Sequence, residues 1–349
     1  MVSSAPGTRR STSRAWSRRS AATIARPTDS SDEFDSDAEL ARAKNRKAIA
    51  KVGDVWQCGR HRIICGDATD PDVIATLLDG EQIDHVFTSP PYNVGVDYND
   101  VADREGENDK TFEDGSGEWE PYAEMLTNIV AAFVPHLRDG RVVGWNIGVS
   151  AATRPYWHAL MLEQAGLSYM RQLVWQKVGV VVPCWNHTVR GQQVRRFYPN
   201  FQHELVYLFT KGPLDKIDGG EMLLDERFAN DVFVINQSTA GREIDNDPNG
   251  KFTGARSNLD TRARKEHPAV FPLDLVAPFV GMLCDVDEIV FDPFGGSGTT
   301  MIGAEITGRR GYLCELLPNY VDVACKRYQR RTGQKPVRLR DGRAVNFDR

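Results

Sequence analysis

The 349-residue sequence lacks long apolar runs, paired cysteines and an excess of positive charge, and each absence removes a class of protein. No stretch approaches the roughly 18 consecutive apolar residues of a membrane span, and no apolar segment near the start is typical of a signal peptide. The six cysteines are scattered, with no Cys-x-x-Cys pair and no Cys and His spacing typical of a zinc site, so neither zinc nor a disulfide framework is indicated. We therefore expect a cytoplasmic protein with no metal and no membrane contact.

Charge is distributed unevenly along the chain. The net charge of −5 argues against a wholly basic nucleic-acid binder, although a local basic face can still hold a polyanion. Residues 1–48 are rich in Arg and Ser, then turn acidic, and contain few large apolar residues, so we expect a disordered tail. The first 27 residues carry six arginines and no acid, which also fits a transit peptide or an arm that touches nucleic acid.

Strand-like and helix-like segments alternate after residue 51. The strand-like segments are 61–67, 83–87, 141–148, 167–177, 288–292 and 311–315, and the helix-like segments are 71–80, 119–137, 154–166 and 267–284. This alternation predicts an α/β fold with a mostly parallel sheet and flanking helices. It weakens over 178–266, apart from the strand-like segment 203–212, so we expect an insertion there. Residues 334–349 are predicted to form a basic tail.

A glycine-rich loop follows one of the last strand-like segments, in "EIVFDPFGGSGTT". No lysine follows Gly298, which excludes a Walker phosphate loop, and the spacing is not that of a complete dinucleotide fingerprint. Asp292 ends this strand and Glu315 ends the next, where the diol of a ribose would need an acceptor. The loop could be a purely structural turn, but the two acids favour a nucleoside ligand without a phosphate.

The segment "TSPPYN" follows the strand-like segment 83–87. Its prolines fix φ and remove N–H donors, so Ser89 and the carbonyl group of Pro90 would be held rigidly as hydrogen-bond acceptors. Taken alone, the segment is also compatible with an ordinary surface turn. A cysteine beside a proline would indicate cytosine C5 chemistry, and Pro183-Cys184 offers one. That dipeptide lies in the irregular insertion, so chance is the better explanation.

Together, "FGGSG" and "TSPPYN" resemble the cofactor and catalytic signatures of the amino-group DNA methyltransferases, which use S-adenosylmethionine. The catalytic signature comes first, as in the permuted group called β. The resemblance covers roughly residues 51–333 and implies a Rossmann-like methyltransferase fold, with a catalytic domain over 49–333. It also implies that the insertion 178–266 includes a target-recognition region.

The resemblance assigns roles to individual residues. Asp67 would accept a hydrogen bond from the adenine amino group, and the segment "EHPAVFPLDLV" would line the methionine pocket on a helix. Many family members have lysine at the position of Phe271. The implied catalytic residues are Ser89, Pro90, Pro91 and Tyr92. The implied cofactor-binding residues are Asp67, Thr88, His267, Pro268, Ala269, Phe271, Pro272, Asp292, Pro293, Phe294, Gly295, Gly296, Ser297, Gly298, Thr299 and Glu315.

The catalytic motif suits a poor nucleophile. The lone pair of an exocyclic amino group is delocalised into the base, and acceptors such as Ser89 can draw the nitrogen toward a tetrahedral state. Tyr92 would stack on a base flipped out of the duplex. In the resembling family, Ser at the first motif position usually accompanies N4-cytosine methylation and Asp accompanies N6-adenine methylation, so we predict N4-cytosine.

Double-stranded DNA is the predicted partner. Segments 187–202 and 254–267 mix Arg with Gln, Asn or aromatic residues, as base-reading segments do, although a solvated loop has similar composition. We expect a bacterial or phage-encoded enzyme, a monomer or homodimer, that has a cognate restriction endonuclease or acts alone. The alternatives are an N6-adenine enzyme, methylation of RNA or of a protein glutamine, and a non-catalytic DNA-binding protein.

Overall fold

A computed structural model describes residues 34–43, 46–93, 119–150, 152–177, 186–189, 192–195, 203–216, 230–235 and 272–348, all within the unit 32–349. An eleven-stranded sheet forms its centre. In the described residues, no helix has the length and apolarity needed to cross a membrane.

The helices and strands have the following bounds. The strands are β1 (Val55–Cys58), β2 (His61–Cys65), β3 (His85–Thr88), β4 (Val142–Gly148), β5 (Leu167–Lys177), β6 (Asn186–Val189), β7 (Gln192–Arg195), β8 (His203–Lys211), β9 (Val232–Ile235), β10 (Ile289–Asp292), β11 (Arg310–Glu315), β12 (Val337–Arg338) and β13 (Arg343–Ala344). The α-helices are α1 (Ser36–Ala43), α2 (Pro71–Leu78), α3 (Trp119–Phe133), α4 (Pro155–Gln164), α5 (Leu273–Leu283), α6 (Thr299–Thr307) and α7 (Pro318–Thr332), and short 3₁₀ turns cover Val134–His136 and Leu214–Lys216.

The sheet has the strand order β13-β12-β1-β2-β11-β10-β3-β4-β8-β5-β9, and β6 and β7 form a separate hairpin. The neighbouring strands β2, β11, β10, β3 and β4 are all parallel, whereas β8 runs antiparallel between β4 and β5. After β10 the chain passes to β11 on one side, while β3 and β4 lie on the other side. Ligands of such sheets bind at the carboxyl ends of the strands beside this change of direction.

Helices cover both faces of the parallel strands. Successive strand residues point to opposite faces, so Phe291 joins the core formed with α2, α3 and α4 while its neighbour Val290 faces α5. A third cluster packs α6 and α7 against β1, β2 and β11, with Met301 and Leu313 fully buried. Burial on both faces explains why β10 is apolar from Ile289 to Phe291 rather than alternating with polar residues.

Both ends of the chain depart from the sequence analysis. Residues 36–43, assigned to a disordered tail, form α1, where Leu40 is buried against Tyr320 and Val323 of α7. Residues assigned to a basic tail form β12 and β13, and the ring of Phe347 packs at 4.9 Å from that of Trp56. Each end is anchored by one well-buried apolar residue, Leu40 or Phe347, with only partly buried ones beside it, which is too little to produce a recognisable hydrophobic pattern.

Two further boundaries differ in the middle of the chain. Strand β8, which the sequence predicted, and strand β9 both lie inside the segment 178–266, which therefore supplies two strands of the main sheet as well as an insertion. The helix predicted over 267–284 begins at Leu273, because Pro272 is an extended N-cap residue and a proline disfavours helical backbone in the residue before it. Residues 267–271 lie outside the described residues.

Candidate active site

The predicted site residues that the structure describes meet at the carboxyl edge of four adjacent strands. Asp67 follows β2, Glu315 ends β11, Asp292 ends β10, and Thr88 ends β3. The sheet order β2-β11-β10-β3 places these residues side by side although they are up to 248 residues apart in the chain, as the hydrogen bond from Cys314 Sγ to the carbonyl oxygen of Gly66 illustrates. The glycine loop and the Ser-Pro-Pro-Tyr turn are therefore neighbours.

Asp292 joins these two loops. Its carboxylate accepts hydrogen bonds from the hydroxyl groups of Thr88 and Thr300, each at 2.6 Å, and from the backbone N–H of Phe294 at 3.0 Å. Burial raises the pKa of Asp292 above its ordinary value, and these hydrogen bonds oppose the shift. The bond to Thr88 fixes the end of β3 against the end of β10. Thr300 is a site residue that the sequence analysis missed, although it ends the glycine motif.

The three glycines of the loop differ in the space beside their Cα atoms and in their backbone conformation. A Cβ atom on Gly295 would lie 3.0 Å from Leu313 Cβ, and one on Gly298 would lie 2.9 Å from Ala324 Cβ. Gly298 also has a φ of +82°, and Gly296 a φ of +50°, in the left-handed region. A Cβ atom on Gly296, by contrast, would meet nothing in the described part of the chain closer than the carbonyl oxygen of Phe294, at 3.8 Å. Packing therefore requires Gly295 and Gly298, whereas Gly296 has open space beside it.

Glu315 is bound to the same loop. Its carboxylate accepts the backbone N–H of Gly296 at 2.8 Å through Oε2 and that of Leu317 at 2.9 Å through Oε1. Burial and, to a smaller extent, the nearby Asp292 raise the pKa of Glu315 to about 7, against the backbone hydrogen bonds, which lower it. A carboxylate held in this way is an acceptor whose charge changes near neutral pH.

The remaining cofactor candidates flank this loop. Asp67 Oδ1 accepts hydrogen bonds from the backbone N–H and the hydroxyl group of Thr69, at 2.9 and 2.7 Å, in a turn that leads into α2. Thr299 accepts a hydrogen bond from Arg327 at 2.8 Å, and the same guanidinium group is 3.4 Å from Ser297 Oγ. His267, Pro268, Ala269 and Phe271 lie outside the described residues, and Pro272 precedes α5.

The Ser-Pro-Pro-Tyr turn is linked to the neighbouring strands by side-chain hydrogen bonds. The hydroxyl group of Tyr92 is 2.9 Å from Asn146 Oδ1 and 2.8 Å from Glu204 Oε2, and Ser89 Oγ is 3.2 Å from the Tyr92 hydroxyl. A Cβ atom on Gly148 would lie 2.9 Å from the Tyr92 ring, so the ring packs directly on the β4 backbone. The absence of a side chain at Gly148 makes room for Tyr92.

A second tyrosine fixes the turn from the opposite side. Tyr122 of α3 donates its hydroxyl hydrogen to the carbonyl oxygen of Pro91 at 2.6 Å. Sequence reasoning missed Tyr122, Asn146 and Glu204. Asn146 and Glu204 could have been found as polar residues inside otherwise apolar strands. Asn146 is fully buried and Glu204 is 6% exposed, and buried polar groups need hydrogen-bond partners.

The remaining predictions concern a metal ion, the dipeptide Pro183-Cys184 and the segments expected to read DNA. No group of His, Cys, Asp or Glu in the described parts of the chain is arranged to hold a metal ion. The dipeptide Pro183-Cys184 and the segment 254–267 lie outside the described residues, and of the segment 187–202 the structure describes only the hairpin of β6 and β7. Recognition of DNA by these segments remains a prediction.

Comparisons with known proteins identify the family of this chain. A family model described as DNA methylase matches residues 83–326. The type II methyltransferase M.BglII of Bacillus subtilis is 27% identical over 266 residues, which cover 72% of this chain and 66% of that protein. The orphan methyltransferase M.BamHII of Bacillus amyloliquefaciens is 25% identical over 274 residues, covering 70% of this chain and 88% of its own length.

A solved structure has the same fold. The PvuII DNA methyltransferase, described as cytosine-N4-specific, superposes with a TM-score of 0.50 at 19% sequence identity, covering 81% of this chain and 89% of that chain. At this identity the likeness concerns the fold, which is the Rossmann-like methyltransferase fold. Because the family model matches more than half of the chain, the protein belongs to the DNA methylase family, the S-adenosylmethionine-dependent enzymes that methylate cytosine N4 or adenine N6.

Proposed function

We propose that this protein methylates the N4 amino group of cytosine in double-stranded DNA. The observation that carries the proposal is Ser89, whose hydroxyl group stands at the end of β3, 3.2 Å from the Tyr92 hydroxyl and 3.3 Å from Asn146 Oδ1. The neighbouring Thr88 is bonded to Asp292 of the glycine loop. A serine at this position accompanies N4-cytosine methylation in the family that the sequence resembles.

The chain's own residues fit S-adenosylmethionine. Glu315 would accept hydrogen bonds from the ribose hydroxyl groups, and Asp67 would accept one from the adenine amino group. The open space beside Gly296 would admit the ligand next to the loop backbone. When bound, the cofactor supplies an electrophilic methyl group on a positively charged sulfur atom. Asp292, which is tied to Thr88, would keep the loop and the catalytic turn at a fixed separation.

The catalytic turn would orient the target amine. The Ser89 hydroxyl and the Pro90 carbonyl oxygen would accept the amino hydrogens, which withdraws the nitrogen lone pair from the ring and directs it toward the methyl group. Both prolines and the Tyr122 bond to Pro91 restrict the turn, so these acceptors need little reorganisation. Tyr92 packs one side of its ring on Gly148, and we assign the other side to the flipped base, where stacking contributes about 1–3 kcal/mol.

The DNA-reading role is proposed for the insertion 178–266, within the catalytic domain 49–333. Its Arg, Gln and Asn residues are the types that pair bidentately with guanine and adenine. Among the relatives, M.BglII is named as a type II methyltransferase and M.BamHII as an orphan enzyme. The relatives therefore support either possibility, that the protein works with a cognate nuclease or that it acts alone.

The test is to identify the methylated nucleoside. Purified protein and labelled S-adenosylmethionine are incubated in three separate reactions, with plasmid DNA, with RNA and with protein. The DNA is then digested and analysed by mass spectrometry. We expect label in duplex DNA as N4-methylcytosine, and sequencing of the product maps the recognition site. Label found only in N6-methyladenine would overturn the choice of base, and label confined to RNA or protein would overturn DNA as the substrate.

A pair of serine variants tests the assigned residue. Ser89→Ala should slow single-turnover methylation by about 10-fold or more while leaving cofactor affinity near wild type, because the lost hydrogen bond acts mainly as the amine changes geometry. Ser168→Ala is the matched control, since Ser168 lies in β5 opposite Thr210 at the amino edge of the sheet. Equal rates for the two variants would remove Ser89 from the mechanism.

A further inference from the structure

An ion pair lies behind the catalytic turn. Lys177 at the end of β5 binds Glu204 near the start of β8, and the ammonium group lies 4.8 Å from the centre of the Trp175 ring. Strand register places Glu204 opposite Gly148 of β4, the residue on which Tyr92 packs. A carboxylate that is 6% exposed and paired with one cation is a strong hydrogen-bond acceptor at the back of the site.

The donor and acceptor roles in this cluster follow from the charges of its members. The Tyr92 hydroxyl has one proton and two acceptors within reach, Asn146 Oδ1 and Glu204 Oε2. An ionised acceptor forms the stronger bond, so the proton belongs on the side of Glu204. Burial and the nearby carboxylate raise the pKa of Tyr92 well above its ordinary value, which keeps the phenol protonated and able to donate.

The direction of this bond determines what Ser89 can do. With the Tyr92 proton directed to Glu204, the phenol oxygen can accept the Ser89 proton at 3.2 Å. Asn146 offers a second acceptor at 3.3 Å, and its amide orientation is set by donation from Nδ2 to the Leu205 carbonyl oxygen at 3.1 Å. Because the single Ser89 proton is engaged inside the protein, the lone pairs of Ser89 are left for an external donor.

We propose that Glu204, held by Lys177, is a positioning residue for methyl transfer: it directs the Tyr92 proton away from Ser89 and so presents Ser89 as a hydrogen-bond acceptor for the target amine. The proposal rests on the role of Ser89 proposed above. It does not depend on which base carries the amine, because cytosine N4 and adenine N6 both donate hydrogen.

The chain offers a matched control for Glu204. Glu81, in the loop before β3 at the opposite edge of the sheet, also accepts a tyrosine hydroxyl, that of Tyr312 at 2.6 Å, and also pairs with a cation, Arg310. Glu204→Gln and Glu81→Gln therefore remove the same charge from the same kind of cluster. We expect Glu204→Gln to lower the single-turnover rate by about 10-fold or more with cofactor and DNA affinities within about threefold, and Glu81→Gln to leave the rate within about threefold.

A double-mutant cycle tests whether Glu204 acts through Tyr92. If it does, the variant carrying both Tyr92→Phe and Glu204→Gln should be about as slow as Tyr92→Phe alone, since the phenylalanine has already removed the proton that Glu204 directs. A merely structural role would instead give losses that multiply. Lys177→Met tests whether the cation holds Glu204 in place beside the Tyr92 hydroxyl group, and a lower single-turnover rate is expected.

The possible outcomes separate this inference from the proposed function. The rates are measured on whichever amino group the wild-type enzyme methylates. A slow Ser89→Ala together with a normal Glu204→Gln would overturn the role of Glu204 and leave that of Ser89 intact. A normal Ser89→Ala would overturn both roles. Multiplicative losses in the double-mutant cycle would also overturn the inference, even if Glu204→Gln is slow.

Discussion

The wild-type enzyme should show a pH dependence of S-adenosylmethionine binding near neutrality, and replacing Glu315 by glutamine should abolish it. The raised pKa of Glu315, about 7, results chiefly from burial at the end of β11 and is increased by Asp292. Ribose hydroxyl groups donate hydrogen bonds, so the carboxylate binds them more strongly than the protonated acid does. Cofactor affinity should therefore fall as the pH decreases through about 7.

The size of the effect follows from the ionised fraction of Glu315. With a pKa of about 7, roughly 10% of the group is ionised at pH 6 and roughly 90% at pH 8, so the Kd should be up to about tenfold higher at pH 6. Stability of the cofactor-free protein should respond with the opposite sign. The contribution of Glu315 to folding stability is fully present below its ordinary pKa of 4.5, and up to about 3 kcal/mol of it is lost as the pH rises through about 7.

The assay is calorimetric titration of the cofactor at pH 6, 7 and 8, with thermal melting as a check that each protein is folded. Glu315→Gln should bind more weakly at pH 8, by about 1–3 kcal/mol, and should show little change in Kd with pH. The glutamine can still accept one of the two backbone N–H groups, from Gly296 or Leu317. A wild-type Kd that is equal at pH 6 and pH 8, or a glutamine variant that keeps the full pH dependence, would refute the assignment of Glu315 to the ribose.

Four other variants test separate parts of the structure. Gly296→Asp should fold yet lose cofactor binding in calorimetry, because it places charge and bulk in the open space beside the loop, whereas Gly298→Ala should lower the melting temperature through its contact with α7. Tyr122→Phe should slow single-turnover methylation by about 5- to 10-fold at unchanged cofactor affinity, since one hydrogen bond to the catalytic turn is lost. Phe347→Ala should cost about 3 kcal/mol in urea unfolding, which a free C-terminal tail would not.

The sequence was sufficient to predict the central elements of the fold. Strand β5 has the predicted bounds of 167–177, and the parallel strands and their helices follow the predicted alternation. Local patterns determine these features, because a buried parallel strand must be apolar and short, and the helices between strands show one apolar face. The glycine loop and the Ser-Pro-Pro-Tyr turn were equally visible, since close approach and rigid turns restrict the residue types at each position.

Elements held by a few distant contacts could not be predicted in this way. Helix α1 depends on Leu40 meeting α7. Strand β12 depends on pairing with β1, β13 on pairing with β12, and both on Phe347 reaching Trp56. A short helix or hairpin is only marginally stable by itself, so tertiary packing decides whether such segments fold.

The sequence by itself determined the family to which the protein belongs, because "TSPPYN" and "FGGSG" each place the groups assigned to catalysis or cofactor binding within a few consecutive residues. Only the tertiary structure decided which distant side chains control those groups. Thr300, Asn146 and Glu204 lie on three different elements, and the strand order, in which β8 runs antiparallel to β4, brings them near one edge of the sheet. Hydrogen-bond partnership depends on distance and direction in space, and neither is encoded in the local periodicity from which helices and strands are predicted.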